Sequence, residues 1–270
     1  MKYTIGEFSD MLGVTVDTLR LYEKRGIINP IKDDKNNYRY FDDLDSRVLL
    51  ASRLYRSLQI PLEDVAELIN NGQLEDIIEK IDESRIKLED QIKKSTLLLN
   101  KMIEIKKEAA EIPNMLNRFQ EKKLPGIYRI RQTDKDKLLK YQSHKETVSA
   151  WMNVLPFCFR SFRINKEFFF ANDDNVEYNW GLAIFEDEMP YLDLKITSDI
   201  EYIQPQTYLS SILPVIPNGE YFMKNAAEFI ISYIKDNHYT VIGDIMGKLM
   251  LTQKSYQHTL SYIEAYVPIG

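Results

Sequence analysis

Beginning at Leu74, apolar residues recur at alternating spacings of three and four through a stretch, 75–111, that holds neither Gly nor Pro. The series runs Leu74, Ile78, Ile81, Arg85, Leu88, Ile92, Ser95, Leu99, Met102, Lys106 and Ala109, and most positions between are charged or amide side chains. That pattern predicts one helix about 55 Å long. Its apolar stripe is too narrow to be packed by a domain of its own, so the seam calls for a partner helix. Ile81, Leu88, Ile92, Leu99 and Met102 are its candidate dimerisation positions, while Arg85, Ser95 and Lys106 interrupt it. A solvated helix bridging two domains is the alternative.

Upstream, residues 1–72 read as a compact, mostly helical unit. Ile5, Phe8, Met11 and Leu12 share one face of a short helix, 5–12; Thr4 is placed to cap it, with Glu7 three residues on, and Gly13 stops it. Thr15 or Asp17 is placed to cap a second helix, 16–24, which Arg25-Gly26 closes. Helix, Gly turn and helix together make a helix-turn-helix signal. A polar loop, 33–37, then leads into Tyr38-Arg39-Tyr40-Phe41, a strand that predicts a hairpin wing with a basic and aromatic tip. Residues 42–59 return to helical periodicity, and Pro61 opens another short helix.

Downstream, Pro113 is expected to break the long helix, and Leu124-Pro125-Gly126 punctuates the approach to a further domain. Strands are predicted at 127–131, 168–171, 180–185, 191–196, 241–242, 245–246 and 262–269. Helices are predicted at 144–159, bent or ended by Pro156 with Trp151, Val154 and Leu155 inward, and at 226–235; Pro217-Asn218-Gly219-Glu220 reads as a turn. Comparable strands and one helix in each half suggest a duplicated α+β domain. The predicted architecture is therefore multidomain, α and α+β: a helix-turn-helix unit at 1–72, a coiled-coil helix at 75–111, a linker at 112–125 and a second domain at 126–270.

Composition narrows the chemistry. With 44% hydrophobic residues in 270 there is material for more than one core. No apolar run approaches a bilayer span and the first residues lack the apolar core of a signal peptide, so a cytoplasmic protein with no membrane partner is expected. A single cysteine, Cys158, and three scattered histidines, His144, His238 and His258, argue against a metal site, and no cofactor is expected. No His, Ser or Cys constellation points to an enzyme. A net charge of −6 leaves nucleic-acid binding open, because a small basic face can decide it locally.

Five ordered blocks carry a family resemblance: Tyr3-Thr4-Ile5-Gly6-Glu7, the run from Gly13 to Glu23, Gly26-Ile27-Ile28, Tyr38-Arg39-Tyr40-Phe41, and Leu58-Gln59-Ile60-Pro61-Leu62-Glu63-Asp64-Val65. In order and spacing they resemble the winged helix-turn-helix domain of MerR-family transcription regulators, and the long helix stands where that family has an antiparallel dimerisation coiled coil. The resemblance implies a homodimer on double-stranded promoter DNA. The second helix would enter the major groove through Thr15, Thr18, Arg20 and Tyr22, and the wing would hold phosphates through Tyr38, Arg39 and Tyr40. It also implies an activator that bends and undertwists an overlong promoter spacer for RNA polymerase. Two positions depart from the pattern: Leu21, where Tyr is frequent, with a changed backbone contact as its expected consequence, and Gln59, where Gly is frequent, with only local packing expected to change.

The remainder resembles the GyrI-like effector-binding domain of multidrug-sensing regulators. The carrying residues are Ile216-Pro217-Asn218-Gly219-Glu220-Tyr221, the helix around Phe229 and Tyr233, Gly243-Asp244-Ile245-Met246, and the terminal run from Tyr262 to Ile269. That likeness implies an aromatic or lipophilic small-molecule effector in a cleft offering Trp151, Phe170, Tyr178, Trp180, Tyr221 and Met246, each of which is also a candidate for plain core packing. Members that bind lipophilic cations carry a Glu where Gly247 aligns; Glu264, Asp244 and Glu220 are possible substitutes, although a Glu on a terminal strand is expected to face outward. A neutral or zwitterionic aromatic ligand is expected on that ground. Two alternatives remain open at this point, a small-molecule hydrolase using Glu264 or Glu220, since GyrI-like domains also resemble such enzymes, and a drug-sequestering protein with a vestigial DNA domain.

Overall fold

The computed structural model describes residues 2–33, 38–135, 137–140, 145–170, 177–215, 221–255 and 258–270, and the side chains of 168, 221–226, 255 and 258 lie outside that description. The chain forms two compact units, Met1–Leu97 and Leu98–Gly270. No helix among the described residues is long and apolar enough to cross a membrane.

The first unit opens with β1 (Tyr3–Thr4), α1 (Ile5–Leu12) and α2 (Val16–Lys24). Thr4 and Glu7 form the expected capping box at the start of α1. Gly13, at φ 62, takes the left-handed conformation that ends it, where a Cβ would be strained. Of the two candidate caps for α2, Thr15 is the one used: its hydroxyl accepts from the Thr18 N–H at 3.1 Å. There follow β2 (Ile31–Lys32), β3 (Arg39–Phe41), α3 (Asp43–Ser57) and α4 (Leu62–Asn71). The strands pair in the order β1-β3-β2, which ties the wing to the chain's start. Phe8, Leu19, Tyr22, Phe41, Leu49 and Val65 fill the core, with Phe8 and Phe41 stacked at 4.7 Å between ring centres. Residues 34–37 of the expected wing loop lie outside the described residues.

Gln59 corrects one expectation. At φ 66 it occupies the left-handed region after α3, while the Ile60 N–H reaches back to the Tyr55 carbonyl. The departure from Gly is therefore a matter of backbone conformation and not of packing.

The long helix, α5, runs Leu74–Met115, and the division between the units falls within it. It passes through Pro113 instead of breaking there. Only one backbone donor is lost, two residues before the end, and Ile112 is buried at that point.

In the second unit come β4 (Phe119–Leu124), β5 (Ile127–Arg131), β6 (Thr133–Asp134), β7 (Lys137–Leu138), α6 (Lys145–Asn153), β8 (Phe159–Ile164), α7 (Lys166–Phe170) and β9 (Tyr178–Phe185). A 3-10 turn, Met189–Tyr191, precedes β10 (Glu201–Ile203), β11 (Gln206–Val215), α8 (Tyr221–Asp236), β12 (Ile245–Ser255) and β13 (His258–Pro268). Eight strands form one sheet in the order β10-β5-β9-β8-β12-β13-β11-β4. The runs β5-α6-β8-β9 and β11-α8-β12-β13 repeat one strand-helix-strand-strand plan. They meet at the antiparallel β8/β12 pair, so the sheet reads as two mirrored orders about its centre. That is the duplicated α+β architecture expected from sequence.

Several predicted elements differ in detail. Residues 119–124, expected in the linker, form an edge strand. The aromatic run 168–170 is helical, because the Asn165 side chain accepts from the Glu167 N–H and Phe169 turns into the core. Tyr191 to Ile196 is not a strand: Asp193, at φ 24, departs from extended backbone. The helix expected over 144–159 stops at Asn153, and Phe159 already belongs to β8. His144, Ala171 and the turn at 217–220 lie outside the described residues.

Candidate functional site

At the surface of the first unit, α2 and the wing present most of the residues expected to meet DNA. The Thr15 and Thr18 hydroxyls lie 2.8 Å apart at the N-terminal end of α2. The Arg20 side chain is 64% exposed, one turn from Asp17 at 3.4 Å. Tyr38 is exposed. Tyr40 is partly buried, opposite both Thr4 and Ile31. Arg39 turns toward α2, its Nε donating to both Glu23 carboxylate oxygens at 2.7 and 2.9 Å. Tyr22 is different: its ring belongs to the core and is 6% exposed. Three residues after the buried Leu19, it lies on the core-facing side of α2, as support for the helix and not as part of the presented surface.

The second unit has two chemically distinct sheet faces. Along β13, Ile263, Ala265 and Val267 pack with Ile230 and Ile234 of α8, so by strand alternation Glu264 and Tyr266 face the other way. On that other face Tyr266 joins Tyr208, Met246, Ile127, Ala183 and Leu124. Glu264 is only 3% exposed, contrary to the outward orientation expected of it. Its carboxylate accepts from Lys122 Nζ at 2.9 Å, Ser210 Oγ at 2.7 Å and the Tyr266 hydroxyl at 2.7 Å. Burial opposes its ionisation, but the Lys122 charge and these hydrogen bonds outweigh burial and hold the carboxyl below its ordinary range. Burial, with Glu264 beside it, pushes the Tyr266 phenol well up.

Lys248 lies opposite Glu264 in the β12/β13 register but pairs elsewhere. Its ammonium donates to both carboxylate oxygens of Glu108, on α5, at 2.8 and 2.9 Å, and stands 5.7 Å from the Phe159 ring centre. A cleft of about 380 Å³ opens here, lined by Ile105 and Glu108 of α5, Cys158, Phe159, Lys248 and Leu249 among others. Cys158 is buried, and burial pushes its thiol up to about 11, which makes it an unreactive wall. Nearby, Arg129 is buried with its guanidinium shared among Ser161, Glu201 and Asn179, and Arg163 bridges Glu201 and Asp244. Asp244 is thus committed to a saturated ion-pair network.

The structure does not bring the expected aromatic residues into one cleft. Trp151 is fully buried with Ile130, Cys158 and Leu182. Tyr178 and Trp180 pack against the core that includes α8, and Phe170 is exposed on α7. Met246 and Glu264 lie on the opposite face. The Tyr221 side chain and Glu220 are outside the described residues. The division follows from the two-residue period of a strand, which sends neighbouring aromatic positions to opposite faces.

Gly247 does not have the role expected of it. Opposite Ala265 in register, it faces the core under α8; a Cβ there would collide with the Phe162 ring and lie 2.6 Å from the Glu264 backbone oxygen. A carboxylate at 247 would point away from the face that holds Glu264, so the glycine does not set the charge of that face. The residues that do, Lys122, Ser210, Tyr208, Tyr266, Phe159, Lys248 and Glu108, were not singled out from sequence. The alternation of Ile263, Ala265 and Val267 with Glu264 and Tyr266 was the signal available for one of them, Tyr266. Among the described residues, no group of His, Cys, Asp and Glu is placed to hold a metal.

Residues 3–72 match the model of the MerR HTH family regulatory proteins. Over 71 residues the chain is 34% identical to the HTH-type transcriptional activator TipA of Streptomyces coelicolor, covering 26% of this chain and 28% of that one. It is 30% identical over 116 residues to the HTH-type transcriptional regulator YyaN of Bacillus subtilis, covering 41% of this chain and 82% of the relative. It is also 25% identical over 112 residues to the multidrug-efflux transporter 2 regulator of Bacillus subtilis, 40% of this chain and 41% of the other. The chain belongs to the MerR HTH family.

Proposed function

We propose that this protein is a homodimeric, ligand-responsive transcription regulator of promoter DNA, acting as an activator. The single observation that carries the reading is the Arg39–Glu23 clamp, which ties the wing to α2 and so presents Thr18, Arg20 and Tyr38 together on one unit whose sequence matches the family. In this reading Thr15, Thr18 and Arg20 meet base edges and phosphates in the major groove, and Tyr38, Arg39 and Tyr40 meet the backbone beside it. Pairing is assigned to the α5 seam, where Ile81, Leu88, Ile92, Leu99 and Met102 are all exposed in the single chain. Two copies related by a twofold axis then read two half-sites.

The sheet unit is assigned the effector. An aromatic or lipophilic small molecule would lie in the cleft beside Lys248, against Phe159, with the buried Tyr208, Met246 and Tyr266 packed behind it on the same sheet face. The likeness to TipA, an activator, and to a multidrug-efflux regulator supports a switch that favours a bent promoter for RNA polymerase when the effector is bound. Glu264, held by Lys122, Ser210 and Tyr266, is committed to an ion pair, which supports a sensor over a hydrolase. Selection from a random duplex pool by the purified protein tests the DNA reading. An inverted repeat is expected to emerge, and Arg20→Ala is expected to bind it at least about tenfold more weakly. No enrichment, or an unaffected variant, contradicts the proposal and favours a sequestering protein.

A further inference from the structure

The cleft beside Lys248 has an unusual polarity for its walls. Apart from charged groups it is bounded by Ile105, Ala109, Leu155, Phe157, Phe159 and Leu249. The charged side chains on it are Lys101, Arg160 and Lys248 against one carboxylate, Glu108. Lys101 is already held by Glu188 at 2.6 Å and Glu104 at 3.0 Å. Arg160 is exposed, with its guanidinium over the Trp180 ring. Lys248 is the decisive group: it is 8% exposed, and its ion-pair partner among the described residues is Glu108 alone. Glu264, across the strand pair, is occupied by Lys122.

We infer that the effector is an amphipathic anion, an aromatic acid whose carboxylate replaces Glu108 on Lys248 while its ring lies against Phe159 and Leu251. This rests on the sheet-face cleft being the effector site. A buried ammonium cannot be left unpaired, so an incoming carboxylate and the Glu108 carboxylate compete for one place. An apolar wall beside a single buried cation selects a molecule with one anionic end and one flat apolar body; a lipophilic cation would meet Lys248 at close range and is disfavoured. Because Glu108 stands on α5, its displacement removes a contact that holds this part of the helix to the sheet unit. Binding and release of the helix are then one event, and the ligand's preference for the released state is the coupling.

Isothermal titration of the full-length protein with naphthoate, naphthamide and naphthylmethylammonium tests this, since the three probes share a ring system and differ in charge. Naphthoate is expected to bind at least about tenfold tighter than the other two. Lys248→Gln should erase that preference, and Glu108→Gln should tighten naphthoate by removing its competitor. Should Lys248→Gln fail to fold, Glu108→Gln, at a position whose side chain is 26% exposed, still decides the matter. The inference is overturned, with the cleft retained as the site, if the amide or the ammonium binds as tightly as naphthoate and Phe159→Ala abolishes that binding. It is also overturned if Glu108→Gln weakens naphthoate. If no probe binds, or binding ignores all three substitutions, the site assignment itself falls and the inference with it.

Discussion

Arg39 and Glu23 join the wing to α2: a guanidinium on β3 meets both carboxylate oxygens of a residue in the last turn of that helix at 2.7 and 2.9 Å. The Arg39 side chain is 41% exposed and that of Glu23 20%, so the pair fixes geometry more than it stabilises the fold. It also means that Glu23 competes with any phosphate for Arg39. Glu23→Gln is expected to leave the melting temperature nearly unchanged while tightening duplex binding at low salt. Arg39→Ala is expected to weaken binding and to reduce the log–log salt slope by about 0.9, one phosphate contact's worth. Anisotropy titrations across a salt series measure both, and an Arg39→Ala slope equal to wild type would remove Arg39 from the phosphate contacts.

Gln59 carries a local strain that glycine would relieve. With φ at 66 it adopts a conformation rarely taken by residues with a Cβ. Gln59→Gly is expected to stabilise the unit by up to about 1 kcal/mol, the loss of left-handed strain exceeding the added chain entropy of the unfolded state. Urea unfolding gives the sign directly, and a destabilised variant would show that the Gln side chain contributes more than its backbone costs.

Much of the first unit was legible because its signals are local. Thr4 and Glu7 announce a capping box, Gly13 a helix end, and alternating seams a long helix; each depends on neighbours within a turn or two. The sheet unit was legible as strands and helices but not as faces. Trp151, Trp180 and Met246 are all apolar and strand- or helix-borne, and nothing in their spacing says that Met246 lies opposite the other two. That assignment needs the register between β12 and β13, a pairing across the chain. Glu264 was expected to face outward because a carboxylate rarely goes inside; its burial depends on Lys122, 142 positions away, reaching it from an edge strand expected to be a linker. Pro113 was overruled for the complementary reason, a buried Ile112 beside it.

The Glu264 pair gives a pH prediction. Its carboxyl titrates below the unfolded value of 4.5, so its contribution is complete above that value and is lost as the pH falls through the lower folded value. As the pH falls below 4.5, wild type should therefore lose more stability than Glu264→Gln, which has no carboxylate to protonate. Lys122→Met should cost about 2 kcal/mol at neutral pH, since a buried carboxylate loses its counter-charge. Equal acid sensitivity in wild type and Glu264→Gln, read from urea midpoints, would contradict the assigned pair.

The α5 seam is interrupted by Ser95, which is exposed in the single chain. Ser95→Leu should tighten the dimer by about tenfold or more, as each copy adds an apolar side chain to the paired seam. Sedimentation equilibrium measures this, and an unchanged or weaker dimer would place Ser95 off the seam and shift the register.

In the proposed function, occupancy of the sheet unit changes the geometry of DNA held by the helix-turn-helix units. Energy transfer between dyes at the two ends of the selected duplex, bound by the full-length protein, tests it most directly when measured with and without a compound that raises the protein's melting temperature. The compound is expected to increase transfer, as the ends approach on bending, and Phe159→Ala is expected to abolish the change while leaving the DNA bound. Transfer that stays the same at saturating compound, with protein and duplex still associated, would contradict it.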